Sequence, residues 1–115
     1  MPNDSAQFAP CGPLIMFSSF TSAGIGDSLH CVCLDEQGRV CHRIRPGSGQ
    51  WSKWGRLGQG GFVSVTAGAV GEELHIISTN DEGLVFHNLR YADGNWQGWG
   101  QLPEQPLLDP FDDLD

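Results

Sequence analysis

Residues 51–58 read Trp-Ser-Lys-Trp-Gly-Arg-Leu-Gly, and residues 96–103 read Trp-Gln-Gly-Trp-Gly-Gln-Leu-Pro, 45 positions further along the chain. The same offset aligns all of 13–57 with 58–102 without a gap. A repeat of about 40–50 residues, filled with short strands and turn residues, is typical of stacked β-sheet blades. Outside the motif, the residues of the first copy that recur unchanged include Gly26, Leu29, His30, Gly38, Val40, His42, Arg45 and Gly49.

Each repeat contains four β-prone segments separated by turns. They are 17–21, 29–34, 39–45 and the Trp-containing 51–54 in the first copy, and 62–66, 74–79, 84–90 and 96–99 in the second. Gly38 and Gly83 end the turns before the third segments, because glycine accepts positive φ at little steric cost. The sequence predicts an all-β protein of two four-stranded antiparallel propeller blades, 17–57 and 58–102, between an N-terminal extension, 1–16, and an acidic C-terminal tail, 103–115.

Two blades cannot close a ring, since propellers typically have about 4–8. An unclosed pair of blades leaves a strand edge and an apolar face open. Identical two-blade chains close head to tail, as a trimer of six blades or a tetramer of eight. We therefore expect a homo-oligomer and favour the trimer. The alternative is that the chain completes a ring begun by another polypeptide.

The two flanking segments have no counterpart in the repeat. Residues 1–16 would serve either as an extra strand that latches the ring or as an unordered lead. Residues 103–115 mix acidic residues with leucine and phenylalanine. This composition fits either a solvated tail or a short docking motif for a protein partner or a neighbouring protomer.

The charge distribution argues against a nucleic-acid partner. The net charge is −8, but five of the 14 acidic residues lie in the last dozen positions. Residues 17–102 hold eight acidic and six basic residues, so the repeats are nearly neutral and lack the basic face that nucleic acid requires. No apolar run approaches the roughly 20 residues of a membrane span. No secretory signal is visible at residues 1–16, which leaves a cytoplasmic location or a non-classical export route as expectations.

Cysteine usage and motif content predict no metal, no cofactor and no catalysis. A zinc site usually offers Cys-x₂-Cys pairs, whereas residues 31–33 read Cys-x-Cys. A chelating pair on one strand face is conceivable, but buried thiols are favoured. The chain also lacks a nucleophile elbow, a phosphate loop and a His-Glu-x-x-His motif. Cys31, Cys33 and Cys41 of the first copy are replaced in the second by Ile76, Ser78 and Phe86.

Both third strands carry a histidine between apolar neighbours. His42 lies between Val40 and Ile44 on one strand face, and His87 occupies the same place in the second copy. One interpretation is a buried histidine that hydrogen-bonds a backbone carbonyl. The other is contact with a ligand.

The order of these motifs resembles the bacterial PLL-like β-propeller lectins, named for the Photorhabdus lectin. The resemblance implies glycan binding, often of fucose-type sugars, in pockets between neighbouring blades. The chain departs from that family in having two blades instead of about seven. The matching segments are Leu29-His30, 35–38, Val40-Cys41-His42 and 51–58 in the first copy, and Leu74-His75, 80–83, Val85-Phe86-His87 and 96–102 in the second.

A multivalent carbohydrate-binding lectin is therefore the expected function. Indole rings suit sugars because pyranose C–H groups lie flat on an aromatic face, and polar side chains at a pocket rim bind the hydroxyls. At least one tryptophan of each pair, by preference the first, is expected in the core. The alternative is a non-catalytic scaffolding propeller whose tail, 103–115, docks a partner. The candidate platforms are Trp51, Trp54, Trp96 and Trp99, and the candidate donors are His42, His87, Arg43, Arg45 and Arg90.

Overall fold

Two four-stranded antiparallel sheets make up the computed structural model, which describes residues 16–103. This confirms the all-β fold and the two four-stranded units; the roles predicted for the two tails fall on 1–15 and 104–115, outside the described residues. Between Met16 and Pro103 there is no helix of the length and apolarity that crossing a membrane requires. The first sheet has the order β1 (Phe17–Ile25), β2 (Ser28–Asp35), β3 (Val40–Arg45), β4 (Gly55–Arg56), and the second β5 (Phe62–Val70), β6 (Glu73–Asn80), β7 (Val85–Arg90), β8 (Gly100–Gln101).

The first strand of each sheet is longer than predicted. It was expected to end at Thr21 before a Gly-rich turn, but β1 continues to Ile25 and pairs there with Ser28. Gly24 lies within the ladder, and only Gly26, at φ 59°, has the left-handed conformation that a two-residue hairpin turn needs. The small residues at 22–24 therefore extend the strand and do not form a loop.

The prediction that the tryptophan pairs lie on the fourth strands is wrong. The strands β4 and β8 follow each pair and contain only two residues each. The Ser52 amide donates to the Ile44 carbonyl, and the next pairing is Gly55 with His42. Lys53 and Trp54 therefore lie opposite a single residue of β3, Arg43. This extra residue forms a β-bulge between Ser52 and Gly55 and interrupts the regular ladder.

The sheets stack with unlike faces in contact. We define the front face of the first sheet as the face that carries the His42 side chain, and the front face of the second sheet as the face that carries His87. The opposite face of each sheet is its back face. The front face of the first sheet packs on the back face of the second, which buries one continuous apolar core. The fully or almost fully buried core residues are Val32, Leu34 and Val40 from the front face and Phe62, Val65, Leu74 and Ile76 from the back face.

The other two faces are open. Phe20, on the back face of the first sheet, is 64% exposed, whereas its counterpart Val65 is 9% exposed. On the front face of the second sheet, Val70 is 63% exposed, whereas its counterpart Ile25 packs against the core. Each sheet thus has apolar residues on both faces, but within residues 16–103 only one face of each sheet is covered by the other sheet.

The turn at Gly38 joins the two sheets. The Phe62 amide donates to the Gly38 carbonyl at 3.0 Å, and the Gly61 amide donates to the Gln37 carbonyl at 2.9 Å. A Cβ atom at Gly38 would lie 2.5 Å from the Phe62 carbonyl oxygen, and the φ of Gly38 is 73°. Glycine is required here by both backbone conformation and close approach.

The matched pair Gly38→Ala and Gly83→Ala tests this junction. Both glycines have positive φ, at 73° and 82°, but a Cβ at Gly83 would meet nothing within 4 Å. We expect Gly83→Ala to lose about 1 kcal/mol of unfolding free energy from backbone strain alone. Gly38→Ala should lose about 2 kcal/mol more, since backbone must move. Urea unfolding measures both, at a dilution where light scattering gives the mass of a single chain, and equal losses would contradict the junction described here.

Candidate functional site

An open cleft of about 490 Å³ lies at the junction of the two sheets. One wall comes from the segment that leaves β4, and the other from β7 and the tryptophan segment of the second sheet. The cleft therefore exists only because the sheets are stacked. Its side chains include Arg56, Leu57 and Gln59 on the first wall and Asn88, Trp96 and Trp99 on the second.

Trp99 is anchored across the junction. Its indole Nε1–H donates to the Leu57 carbonyl at 2.5 Å. The ring also packs on Phe62, with 4.8 Å between ring centroids. These two contacts fix the orientation of the Trp99 ring, which lines the cleft.

Trp96 and Asn88 are held by contacts of a different kind. The Trp96 ring stands edge-on to His42, with 5.2 Å between centroids, and packs against the core. The Asn88 side chain is buried, and its Oδ1 accepts the amides of Leu89 and Gly98 at 2.7 and 3.0 Å. Within residues 16–103 the Asn88 amide nitrogen makes no hydrogen bond, so it remains a donor at the cleft.

The first wall supplies a charged side chain, Arg56, and an exposed amide side chain, Gln59. The half-exposed Arg56 lies with its Nε 3.6 Å from Asp35 Oδ2, and Arg39 Nε donates to the same oxygen at 2.9 Å. Burial acts to raise the pKa of Asp35, but hydrogen bonds from Arg39 and the Gln37 amide outweigh it and hold the pKa below its usual value. Asp35 therefore stays ionised and offsets part of the Arg56 charge. Gln59 is exposed at the rim.

Each sheet also contains a stacked histidine pair. His30 Nδ1 and His42 Nε2 are 2.9 Å apart, and so are His75 Nδ1 and His87 Nε2. The predicted backbone-carbonyl partner of His42 and His87 is therefore wrong, because the neighbouring strand places a second histidine on the same face, diagonally across from the first. Diagonal neighbours on one face of a strand pair meet only when their side chains are long or aromatic, as these imidazoles are.

The second pair also contacts a carboxylate. His75 Nε2 lies 3.1 Å from the Glu73 carboxylate, to which it donates. When both rings are neutral, each has one N–H, so His75 Nδ1 accepts a hydrogen bond from His87 Nε2. In that state the His87 Nε2–H is used in the hydrogen bond to His75.

Burial keeps the first pair neutral. It lowers the pKa of His42 to about 3, with smaller contributions from His30 and from Arg90 across the junction. Burial and Arg90 also lower the pKa of His30. In the second sheet, burial and His75 lower the pKa of His87. Uncharged rings are compatible with the apolar front face on which they lie.

The nine predicted site residues fall into separate groups. The cleft contains Trp96 and Trp99, with His42 behind Trp96. Arg43, Trp51 and Trp54 form a second cluster beside the open back face of the first sheet, where the Arg43 guanidinium lies 4.8 and 5.1 Å from the two indole rings. The structure places His87 in the second histidine pair, and Arg45 and Arg90 beside the turns at Gly49 and Gly94.

Sequence reasoning missed three cleft residues, Arg56, Gln59 and Asn88. Arg56 and Gln59 follow the Trp-x-x-Trp motif directly, and that position was the available signal. Asn88 gave no signal, because its counterpart is Arg43 and the two residues have different chemistry.

The three cysteines of the first sheet are free thiols. Cys33 and Cys41 are buried and Cys31 is half-buried. Burial raises the pKa of Cys33 to about 12, with a smaller effect from Cys31, and burial also raises the pKa of Cys41. These are poor conditions for thiolate chemistry. Among residues 16–103, no three His, Cys, Asp or Glu side chains are grouped to hold a metal ion.

Comparison with known proteins identifies no relative. No family model, no curated protein and no solved structure matches the chain.

The His42 environment predicts acid sensitivity. Between pH 6.5 and about 3 the unfolded chain protonates His42 and the folded chain does not, so the free energy of unfolding should fall as the pH falls. His30 and Arg90, which face His42, both add to this effect. Urea unfolding from pH 7.5 to 4.5 should give a shallower slope for His42→Gln than for the wild type. The exposed control Lys53→Gln should keep the wild-type slope; an unchanged slope for His42→Gln would contradict the prediction.

Proposed function

We propose that the chain is a non-enzymatic, glycan-binding β-propeller subunit whose ligand sites are the clefts between stacked sheets. The observation that carries this proposal is the stacking of a front face on a back face, with a tryptophan-lined cleft at the junction. Such stacking is the relation between neighbouring propeller blades. The lectin-like order of motifs in the sequence supports the same function.

The open faces support assembly of identical chains. The front face of the second sheet and the back face of the first carry counterparts of the residues that already pack together inside one chain. One copy can therefore place its open front face on the open back face of the next by repeating the internal contact. A head-to-tail contact that repeats by rotation closes a ring. Three chains would give six blades, which is the assembly we favour.

The repeat offset specifies contacts for this interface. The Trp99–Leu57 hydrogen bond would recur as Trp54 Nε1–H of one copy donating to the Leu102 carbonyl of the next. The edge-on contact of Trp96 with His42 would recur between Trp51 and His87. In the isolated chain Trp51 is 39% exposed and Leu102 40% exposed, so both are available for these contacts.

The chemistry of the cleft suits a neutral sugar. Trp99 and Trp96 supply fixed aromatic surface for C–H groups. Arg56, Gln59 and the Asn88 amide supply donors for hydroxyl oxygens around it. Fucose or a related monosaccharide is the proposed ligand class. Several clefts on one ring would strengthen binding to a glycan surface through multivalency.

The substitution Phe20→Asp tests assembly. It places a charge on the open back face, so we expect a monomeric chain with an unchanged β-type circular dichroism spectrum and at least a tenfold weaker association. Light scattering at micromolar concentration measures the mass. The control is Val63→Asp. Val63 is 58% exposed, and its counterpart Ser18 stays exposed although its sheet is stacked, so Val63 should stay exposed in the assembly. A monomeric wild type, or a Phe20→Asp variant of wild-type mass, would contradict the assembly.

The substitution Arg56→Gln tests the cleft. The second repeat has Gln101 at this position, so the fold accepts the change. Loss of one charged donor should weaken fucose binding about tenfold in native mass spectrometry. Arg39→Gln is the control, since Arg39 pairs with the same Asp35 carboxylate but does not line the cleft. An assembled protein that binds none of fucose, galactose and methylated sugars would refute the lectin function and leave the scaffolding function as the alternative.

A further inference from the structure

Arg43, Trp51 and Trp54, which we call the arginine cluster, form a cationic surface at the edge of the open back face. The Arg43 guanidinium lies 4.8 Å from the Trp51 ring and 5.1 Å from the Trp54 ring. Its Nε donates to the Ser52 carbonyl at 3.1 Å. These three contacts hold the planar group against aromatic surface and leave its two terminal nitrogens as donors.

The arginine cluster has no counter-charge nearby in the part of the chain that the structure describes. Among residues 16–103, no carboxylate lies within 4.0 Å of Arg43, whereas Arg39 and Arg56 both lie within 4.0 Å of Asp35. The guanidinium edge is therefore unused. A planar fork of N–H donors fits a carboxylate in a bidentate arrangement.

The counterpart of this cluster in the second sheet is part of the cleft already described. Trp51 and Trp54 correspond to Trp96 and Trp99, while Arg43 corresponds to Asn88. Asn88 is buried and its Oδ1 holds two backbone amides. At the same place the first sheet thus has a charged, partly exposed donor. Lys53, in place of Gly98, adds a second positive charge.

The geometry points to a second ligand site at the arginine cluster that takes a carboxylate-bearing sugar. This inference rests on the proposed function, because the facing wall, with Leu102, comes from the next copy in the ring. The neutral cleft inside one chain and the cationic cleft between chains would then differ in specificity. Arg43 would pair with the carboxylate, and the exposed parts of the two indoles would contact the sugar ring.

The test compares glucuronate with glucose, which differ at the carboxylate. Binding is measured by native mass spectrometry and by titration calorimetry on the assembled wild type, with fucose as a third ligand. We expect glucuronate to bind about tenfold more tightly than glucose. Arg43→Asn, which introduces the residue of the second repeat, should abolish that preference and leave fucose binding at the other cleft unchanged. The control Arg45→Asn removes the same charge two positions along β3 and should keep the preference.

The outcomes distinguish a failure of this inference from a failure of the proposed glycan-binding function. Fucose binding without a preference for glucuronate would overturn the inference and leave the proposed function standing. A preference that survives Arg43→Asn, in a variant of wild-type mass by light scattering, would also overturn it. Binding of none of the three sugars would overturn both.

Discussion

The contact between a front face and a back face is the constraint on which the rest of the structure depends. A four-stranded sheet with apolar residues on both faces cannot bury both of them alone. A symmetric front-to-front contact would have satisfied both front faces at once. The head-to-tail contact instead buries Val40 of the first sheet and Phe62 of the second, and it leaves one face of each kind open. The chain therefore ends in two complementary surfaces, which is the physical basis for the assembly we propose.

The first histidine pair and the Trp99 indole are compatible with this contact because each is hydrogen-bonded. His30 and His42 share a hydrogen bond and stay neutral, so His42 can lie against the Trp96 ring. The Trp99 indole finds an acceptor in the Leu57 carbonyl at the edge of the other sheet. A hydrogen bond between sheets specifies their relative position more narrowly than apolar contact does, because its distance and direction are restricted.

Residues that recur in the two repeats belong to the fold, whereas several residues that differ between them lie at or near the cleft. The turn glycines, the histidine pairs and the tryptophans recur because each sheet needs them to form and to stack. Arg43 and Asn88 differ, as do Arg56 and Gln101, and of these four Asn88 and Arg56 line the cleft. In the ring that we propose, such differences would give the clefts within and between chains unequal charge.

The sequence alone determined the two four-stranded units, because the 45-residue offset and the turn glycines repeat with the spacing of short antiparallel strands. It also singled out Trp96 and Trp99, which the structure places in the cleft. The fourth strands and the histidine partners were predicted incorrectly, since a bulge and a cross-strand contact depend on the neighbouring strand. Only the tertiary structure decided which face of each sheet is covered and that Asn88 and Arg56 meet in one cleft. Strand alternation divides residues between two faces, but it does not specify which face another sheet will cover.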